Sequence, residues 1–279
     1  MTLPIPIPIP IFESLQLSLD KHIAHVRINR PEKANAMSRA MWGDIGAAFA
    51  WIDAAPEARV AVISGNGAHF TSGIDLAMLA GVADEVDDDC EGRKREKLRR
   101  TILALQDSLS SLERCRKPVL AAIHGACIGG GIDLICCADM RYCSSDAYFS
   151  IKEIDMGMTA DVGTLQRLPK LIGDGLVREL AYTGRKFASD EAERCGLVNR
   201  VFESPEALLQ GVMHIAANIA SKSPLAIRGT KEIILYARDH SVTDSLNYVA
   251  TWNAAMLMST DLQEAMMSGM QKKSPTFNN

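Results

Sequence analysis

The stretch VLAAIHGACIGGGIDL (Val119–Leu134), with FSIKEIDMGMTADVGTLQRLP (Phe149–Pro169) behind it, decides how the whole chain reads. Val119–Ile123 is a short apolar run directly after Pro118, the pattern of a buried strand. Gly129, Gly130 and Gly131 break it, and Ile132–Cys137 resumes with helical character. A strand that stops at glycines and restarts as a helix leaves backbone N–H groups bare at the helix N-terminus. Such groups stabilise an anion or a developing oxyanion. Three acids punctuate the region: Asp133, Glu153 and Asp161, each among apolar neighbours such as Ile132, Ile151, Ile154 and Val162. An isolated carboxylate in apolar sequence is costly unless it is paired or used.

Toward the N-terminus, Leu15–Leu19 and Ile23–Ile28 alternate around Asp20-Lys21 and predict a β-hairpin. RPEKANAMS (Arg30–Ser38) reads as a loop whose Ser38 caps a helix, with Met41, Ile45, Ala48, Phe49 and Ile52 at helical spacing. Val60–Ile63 is a second buried strand, turned by SGNG (Ser64–Gly67). FTSGIDL (Phe70–Leu76) is a second glycine loop that opens an apolar segment. Val82–Arg100 shifts from acid to base and predicts an exposed loop feeding a helix marked by Leu98, Ile102, Leu105, Leu109 and Leu112, which Pro118 ends.

Toward the C-terminus, Ser189 and Gly196 bracket a short helix and Leu197–Phe202 predicts a strand. From Ser204 onward the signals are helical: Ser204-Pro205, Ser223-Pro224 and a capping box at Thr260-x-x-Gln263. Met256, Leu257, Met258, Met266, Met267 and Met270 give this tail an apolar surface suited to packing on its own domain or on a second copy. The expected architecture is an α/β core over residues 1–203 followed by a helical subdomain over residues 204–279.

Composition sets limits on function. With 279 residues, 47% hydrophobic and 23% charged, the chain can bury a large core and is not a disordered sequence. A formal net charge of −4 argues against a general nucleic-acid binder. Seven cysteines without a C-x-x-C pair predict thiols packed as small hydrophobes. No apolar run is long enough to span a membrane. LPIPIPIPI (Leu3–Ile11) has prolines that forbid a signal helix, and an extended polyproline-like arm is expected there. With no targeting segment visible, a cytoplasmic location is expected.

The glycine cluster is not a P-loop, since no Gly-Lys-Ser/Thr follows, and it lacks the G-x-G-x-x-G spacing of a dinucleotide site. His124 has no second histidine at a chelating distance, so no metal is expected. The basic run Arg93–Arg100 reads as a solvated face, with phosphate binding as its functional alternative. Two glycine loops that each begin a helix can supply two backbone donors to one oxygen, and three acids beside them favour proton transfer.

The residues alone lead to an oxyanion-and-carboxylate enzyme. The ordered set RPEKANAMS, FTSGIDL, AAIHGACIGGGIDL, KEIDMGMTADVGTLQRLP and GRKFASDEAERCGLVNRVF resembles the crotonase (enoyl-CoA hydratase/isomerase) superfamily over roughly residues 12–270. The resemblance implies a spiral of ββα units, a C-terminal helical trimerisation region, and an acyl-CoA thioester as substrate. It implies an oxyanion hole from the N–H groups of Ile74 and Gly130, and substrate contacts at Lys33, Ala34, Asn35, Ala36, Ser72, Gly73, Asp75, Leu76, Gly129 and Gly131, with Lys33–Ala36 at the adenine end of CoA. It implies no cofactor beyond the coenzyme A of the substrate, and a homotrimer or a dimer of trimers. The set Asp133, Glu153 and Asp161 resembles the branch of the family that isomerises 3,5-dienoyl-CoA to 2,4-dienoyl-CoA in fatty acid β-oxidation; hydratases usually carry two glutamates and a glycine there. Glu153 and Asp161 are then the proton-transfer pair and Asp133 tunes them. A 2-enoyl-CoA hydratase is the nearest alternative, and a non-catalytic RNA- or protein-binding relative a remote one.

Overall fold

The computed structural model describes residues 8–279, so Leu3–Ile7 of the expected polyproline-like arm lie outside the described residues. The chain opens with a hairpin, β1 (Leu15–Asp20) and β2 (Ile23–Ile28), turned at Lys21 and His22, both with positive φ. Helix α1 (Arg39–Ala54) follows, with Ser38 as its cap: the Oγ accepts from the Met41 N–H at 3.4 Å. The stripe read from the sequence is buried, with Met41, Ile45, Ala48, Phe49 and Ile52 all facing the core. Then come β3 (Val60–Gly65), α2 (Leu76–Glu85), α3 (Glu91–Arg114), β4 (Val119–Ile123), β5 (Ala126–Ile128) and α4 (Gly130–Cys136). They are followed by β6 (Met140–Ser144), β7 (Tyr148–Ser150), α5 (Thr164–Arg167), α6 (Asp174–Thr183), β8 (Phe187–Ala188), α7 (Ser189–Arg194) and β9 (Arg200–Phe202). The tail is α8 (Pro205–Ala220), α9 (Pro224–Ala237), α10 (Val242–Met256) and α11 (Thr260–Met270).

The strands form two sheets. The larger has the order β1-β2-β3-β4-β6-β9, parallel from β2 onward; the smaller pairs β5 with β7 and β7 with β8. From β3 to β7 each turn of the chain therefore places one strand in the large sheet and the next segment in the small one, then leaves as a helix. Thr71 completes the pattern by bridging to Cys127 beside β5. This is the expected spiral of ββα units.

Strand β4 reads as an unbroken apolar run because both of its faces are covered. Val119, Ala121 and Ile123 join the main core with α1 and α3, whereas Leu120 and Ala122 face the other way, against Leu208, Val212 and Ala216 of α8. Val60 and Val62 of β3 divide from Ala61 and Ile63 in the same manner.

Some local readings are corrected. Ser64 and Gly65 extend β3 instead of turning it. The basic run is not a loop: α3 begins at Glu91, and Arg93, Lys97 and Arg100 pair with Asp88 and Glu96 nearby. Such i,i+4 and local pairs let a charged face stay helical. Ala188 and Ser259, not Ser189 and Thr260, occupy the cap positions of α7 and α11, and Ser259 Oγ accepts from the Leu262 N–H at 3.3 Å. The Leu197–Phe202 strand is only Arg200–Phe202.

Candidate active site

The two glycine loops lie side by side because the residues before them pair as strands. Thr71 N–H donates to Ala126 O at 3.0 Å and Ile128 N–H donates to Thr71 O at 3.2 Å. Met37 clasps the first loop from outside: its N–H donates to Gly73 O at 2.7 Å, and its O accepts from the Asp75 N–H at 3.1 Å. Those bonds bracket Ile74 and turn its own N–H the opposite way. Gly130 is the first residue of α4, so its N–H has no intrahelical acceptor. Among the described residues neither N–H donates to any protein group. Glycine is required at the contact: a Cβ on Gly73 (φ +89°) would stand 2.7 Å from Ile128 O and 3.5 Å from the Gly130 nitrogen.

Both N–H groups belong to a cavity of about 800 Å³ between the glycine loops, α2, α3 and the segment 152–162. Asp133, Glu153 and Asp161 all line it. Asp133 projects from the first turn of α4 and is 1% exposed. Its Oδ1 accepts from the Thr164 N–H at 2.6 Å. Burial pushes its carboxyl up to about 6, with hydrogen bonding from Thr164 opposing the rise and the Asp161 charge adding to it. Glu153 begins a 3₁₀ turn (Glu153–Met156). Its Oε2 is buried without a hydrogen-bond partner among the described residues, and a Cβ on Gly129 (φ +52°) would lie 3.2 Å from its Oε1. Burial, then the charge of Asp133, pushes Glu153 up to about 7. Asp161 sits at the open side of the cavity; partial burial raises its carboxyl, and its backbone oxygen is tied to Gln106 Nε2 of α3 at 2.6 Å.

The expected substrate contacts divide. Lys33, Ala36, Ser72, Gly73, Ile74, Asp75, Leu76, Gly129 and Gly130 line the cavity. Ala34, Asn35 and Gly131 do not. Asn35 is fully buried; its side chain accepts from Arg30 N–H at 2.8 Å and donates to Asn66 O at 2.8 Å and His69 O at 2.7 Å. Its positive φ, like that of Ala34, belongs to the turn that delivers Ala36 to the wall. A Cβ on Gly131 would strike Thr71 Cγ2 at 2.6 Å, so this glycine packs α4 against the loop. Asp75 both lines the cavity and caps α2, accepting from the Ala77 N–H at 3.0 Å and pairing with Arg30 at 3.0 Å.

Sequence reasoning missed Trp42, Met78, Met156 and Met158, which also line the cavity. The α3 stripe marked a helix without saying what it faces: Leu109 and Leu112 are buried, while Leu98, Ile102 and Leu105 line the cavity. Of these three only Leu98 lies inside the charged run, so the sequence carried little signal for the division. No cluster of three His, Cys, Asp or Glu suits a metal among the described residues, and no described helix is long and apolar enough to cross a membrane.

The enoyl-CoA hydratase/isomerase family model matches residues 19–279. A mouse protein named Delta(3,5)-Delta(2,4)-dienoyl-CoA isomerase, mitochondrial, is 49% identical across 95% of this chain and 83% of its own. An Arabidopsis thaliana protein of the same name, but peroxisomal, is 48% identical across 95% of this chain and 96% of its own. Among solved structures, an enoyl-CoA hydratase from Bacillus anthracis superposes with a TM-score of 0.87 at 27% identity, covering 95% of this chain and 99% of that one. These names correct the cytoplasmic expectation: relatives near half identity are named mitochondrial or peroxisomal, so a missing visible address does not indicate the cytoplasm.

Proposed function

This chain belongs to the enoyl-CoA hydratase/isomerase family, and we propose that its three-acid cavity makes it a Δ3,5-Δ2,4-dienoyl-CoA isomerase of fatty acid β-oxidation. The observation that carries the reading is the meeting of Asp133, Glu153 and Asp161 in one cavity with two unengaged backbone N–H groups.

The thioester carbonyl accepts from Ile74 and Gly130. One carboxylate of the Glu153–Asp161 pair removes a proton from C2, and the electron pair left behind forms C1=C2 as the carbonyl π electrons pass to the thioester oxygen. The resulting dienolate is held by the two N–H donors, each worth about 10²–10³ in rate. The other carboxyl group, protonated, delivers a proton to C6, and the double bonds come to rest at C2=C3 and C4=C5. No electrons are gained or lost and no water is consumed. Glu153, held near 7, takes up and releases a proton readily at neutral pH. Asp133, with its bond from Thr164, tunes the pair through its charge. Protein groups supply every step, so the reading calls for no cofactor beyond the CoA of the substrate.

The same reading takes residues 204–279 as the helical subdomain and its apolar surface as the seam of a homotrimer or of paired trimers. Support comes from Met258 and Met270, which are 86% and 80% exposed on the single chain.

The test is an ultraviolet assay with 3,5-octadienoyl-CoA and a simple 2-enoyl-CoA in parallel. Growth of the longer-wavelength 2,4-dienoyl absorbance is expected. Loss of the 2-enoyl absorbance with no change in the dienoyl substrate would make the protein a hydratase.

A further inference from the structure

Behind the turn that carries Asp161 lies a second, polar cavity of about 590 Å³, walled by α3, α5 and the end of α9. Asp161 and Val162 line both cavities, so this turn is the partition between them. Beneath it is a charge cluster with no part in the chemistry above. Arg167 donates to Glu113 Oε2 through Nη2 at 2.9 Å and Nε at 3.2 Å, and to Ser110 Oγ through Nη2 at 3.0 Å. Arg238, just past α9, pairs with the other Glu113 oxygen. Glu113 is thereby held below the usual carboxylate range, the paired guanidinium groups outweighing its burial.

The cluster reaches the acids through one turn of backbone. Arg167 N–H donates to Gly163 O at 3.0 Å, and a Cβ on Gly163 (φ +141°) would collide with the Arg167 guanidinium. The next residue, Thr164, supplies the N–H that holds Asp133. Two residues before Gly163 stands Asp161, whose backbone oxygen Gln106 ties to the same α3. One helix therefore grips the partition twice, directly through Gln106 and through the Glu113–Arg167 fork.

We propose that Glu113, acting through Arg167, is a positioning residue for proton transfer: it fixes the Gly163 turn so that Thr164 N–H stays on Asp133 and Asp161 stays at the cavity. This rests on the proton-transfer role given above to the acids. The charged and titratable groups facing Asp133 are Asp161, Glu153, Arg167 and the thiols of Cys127, Cys136 and Cys137. Arg167 is the cation among them. Losing its charge and loosening the Thr164 bond both favour the protonated form of Asp133, so the two effects act in the same direction.

The experiment compares kcat, KM and the pH profile of kcat for wild type, Arg167→Lys, Arg167→Met and Glu113→Gln with 3,5-octadienoyl-CoA. Arg167→Lys keeps the charge but loses the two-pronged grip. It is expected to lower kcat about ten-fold or more, with KM within about two-fold, because small misplacements of reacting groups are costly. The low-pH limb of kcat should move upward, furthest in Arg167→Met. Glu113→Gln, which keeps the shape of the acceptor, should reproduce the kcat loss should the Arg167 variants fail to fold, and Glu113→Asp should recover part of it. Folded variants with wild-type kcat and an unmoved limb, only melting earlier, would reduce the cluster to a structural brace and overturn the proposal. A wild type that turns over only the 2-enoyl substrate contradicts the isomerase reading instead, and the limb is then followed with that substrate.

Discussion

Two of the regions in which this molecule buries charge treat it in opposite ways. At the N-terminal end of β4, Lys117 Nζ donates to the oxygens of Ile52, Asp53 and Ala55 at 2.6–2.8 Å. Lys231 of α9 reaches Asp139 at 2.8 Å and also donates to Lys117 O at 3.1 Å and Leu112 O at 3.3 Å. Every ammonium proton there has an acceptor, and the groups serve to lock helices to the end of the sheet. In the cavity beyond the C-terminal end of β4, Glu153 Oε2 has no partner among the described residues and Asp133 has one backbone donor. Burial without satisfaction is destabilising, and its consequence is a proton held loosely near neutral pH. Satisfied buried charge builds the fold; unsatisfied buried charge is available for chemistry.

Substitutions at each end should break that contrast in different currencies. Glu153→Gln should lower kcat by about 10²–10⁴ while leaving the far-ultraviolet circular dichroism unchanged; a comparable loss of secondary structure would show that Glu153 is structural after all. Lys231→Met should do the reverse. It leaves Asp139 without its cation, with only the Val119 N–H still donating to it, and is expected to cost about 3–5 kcal/mol in denaturant unfolding, with kcat of the folded fraction preserved.

A smaller effect sharpens the comparison. Glu153 titrates near 7 in the fold against about 4.5 unfolded, so between those values the native state binds more protons. Stability from this group therefore falls as pH rises from about 4.5 to 7, and the full penalty is present above 7. Glu153→Gln should raise stability above pH 7 by on the order of 1–3 kcal/mol and leave it nearly unchanged below pH 4.5. A variant no more stable than wild type at pH 8 would mean that the carboxylate is well solvated.

What the sequence disclosed follows the same division. Elements with local signatures were legible: the alternating hairpin, the α1 stripe, the apolar β3 and β4, and the Ser204 and Ser223 caps, which accept from Ala207 and Ala226 N–H as their spacing requires. The three acids were legible as acids out of place in apolar sequence. Strands β5 and β7 were not, because three residues such as Ala126–Ile128 carry no period and are strands only by pairing with distant partners. The same long-range pairing decides that Ala36 lines the cavity while Asn35, its neighbour, braces the loop beneath. Nor could periodicity say that one stripe on α3 would serve the core at Leu109 and the cavity at Leu105.

The central claim is that Asp161, at the cavity mouth, exchanges a proton with the substrate. The most direct measurement is kcat of Asp161→Asn with 3,5-octadienoyl-CoA, beside wild type and with folding checked by circular dichroism. The account predicts a fall of about 10²–10⁴ in a folded protein. A folded variant that isomerises the dienoyl substrate within about two-fold of wild type would contradict it, since a positioned acid or base cannot be removed so cheaply.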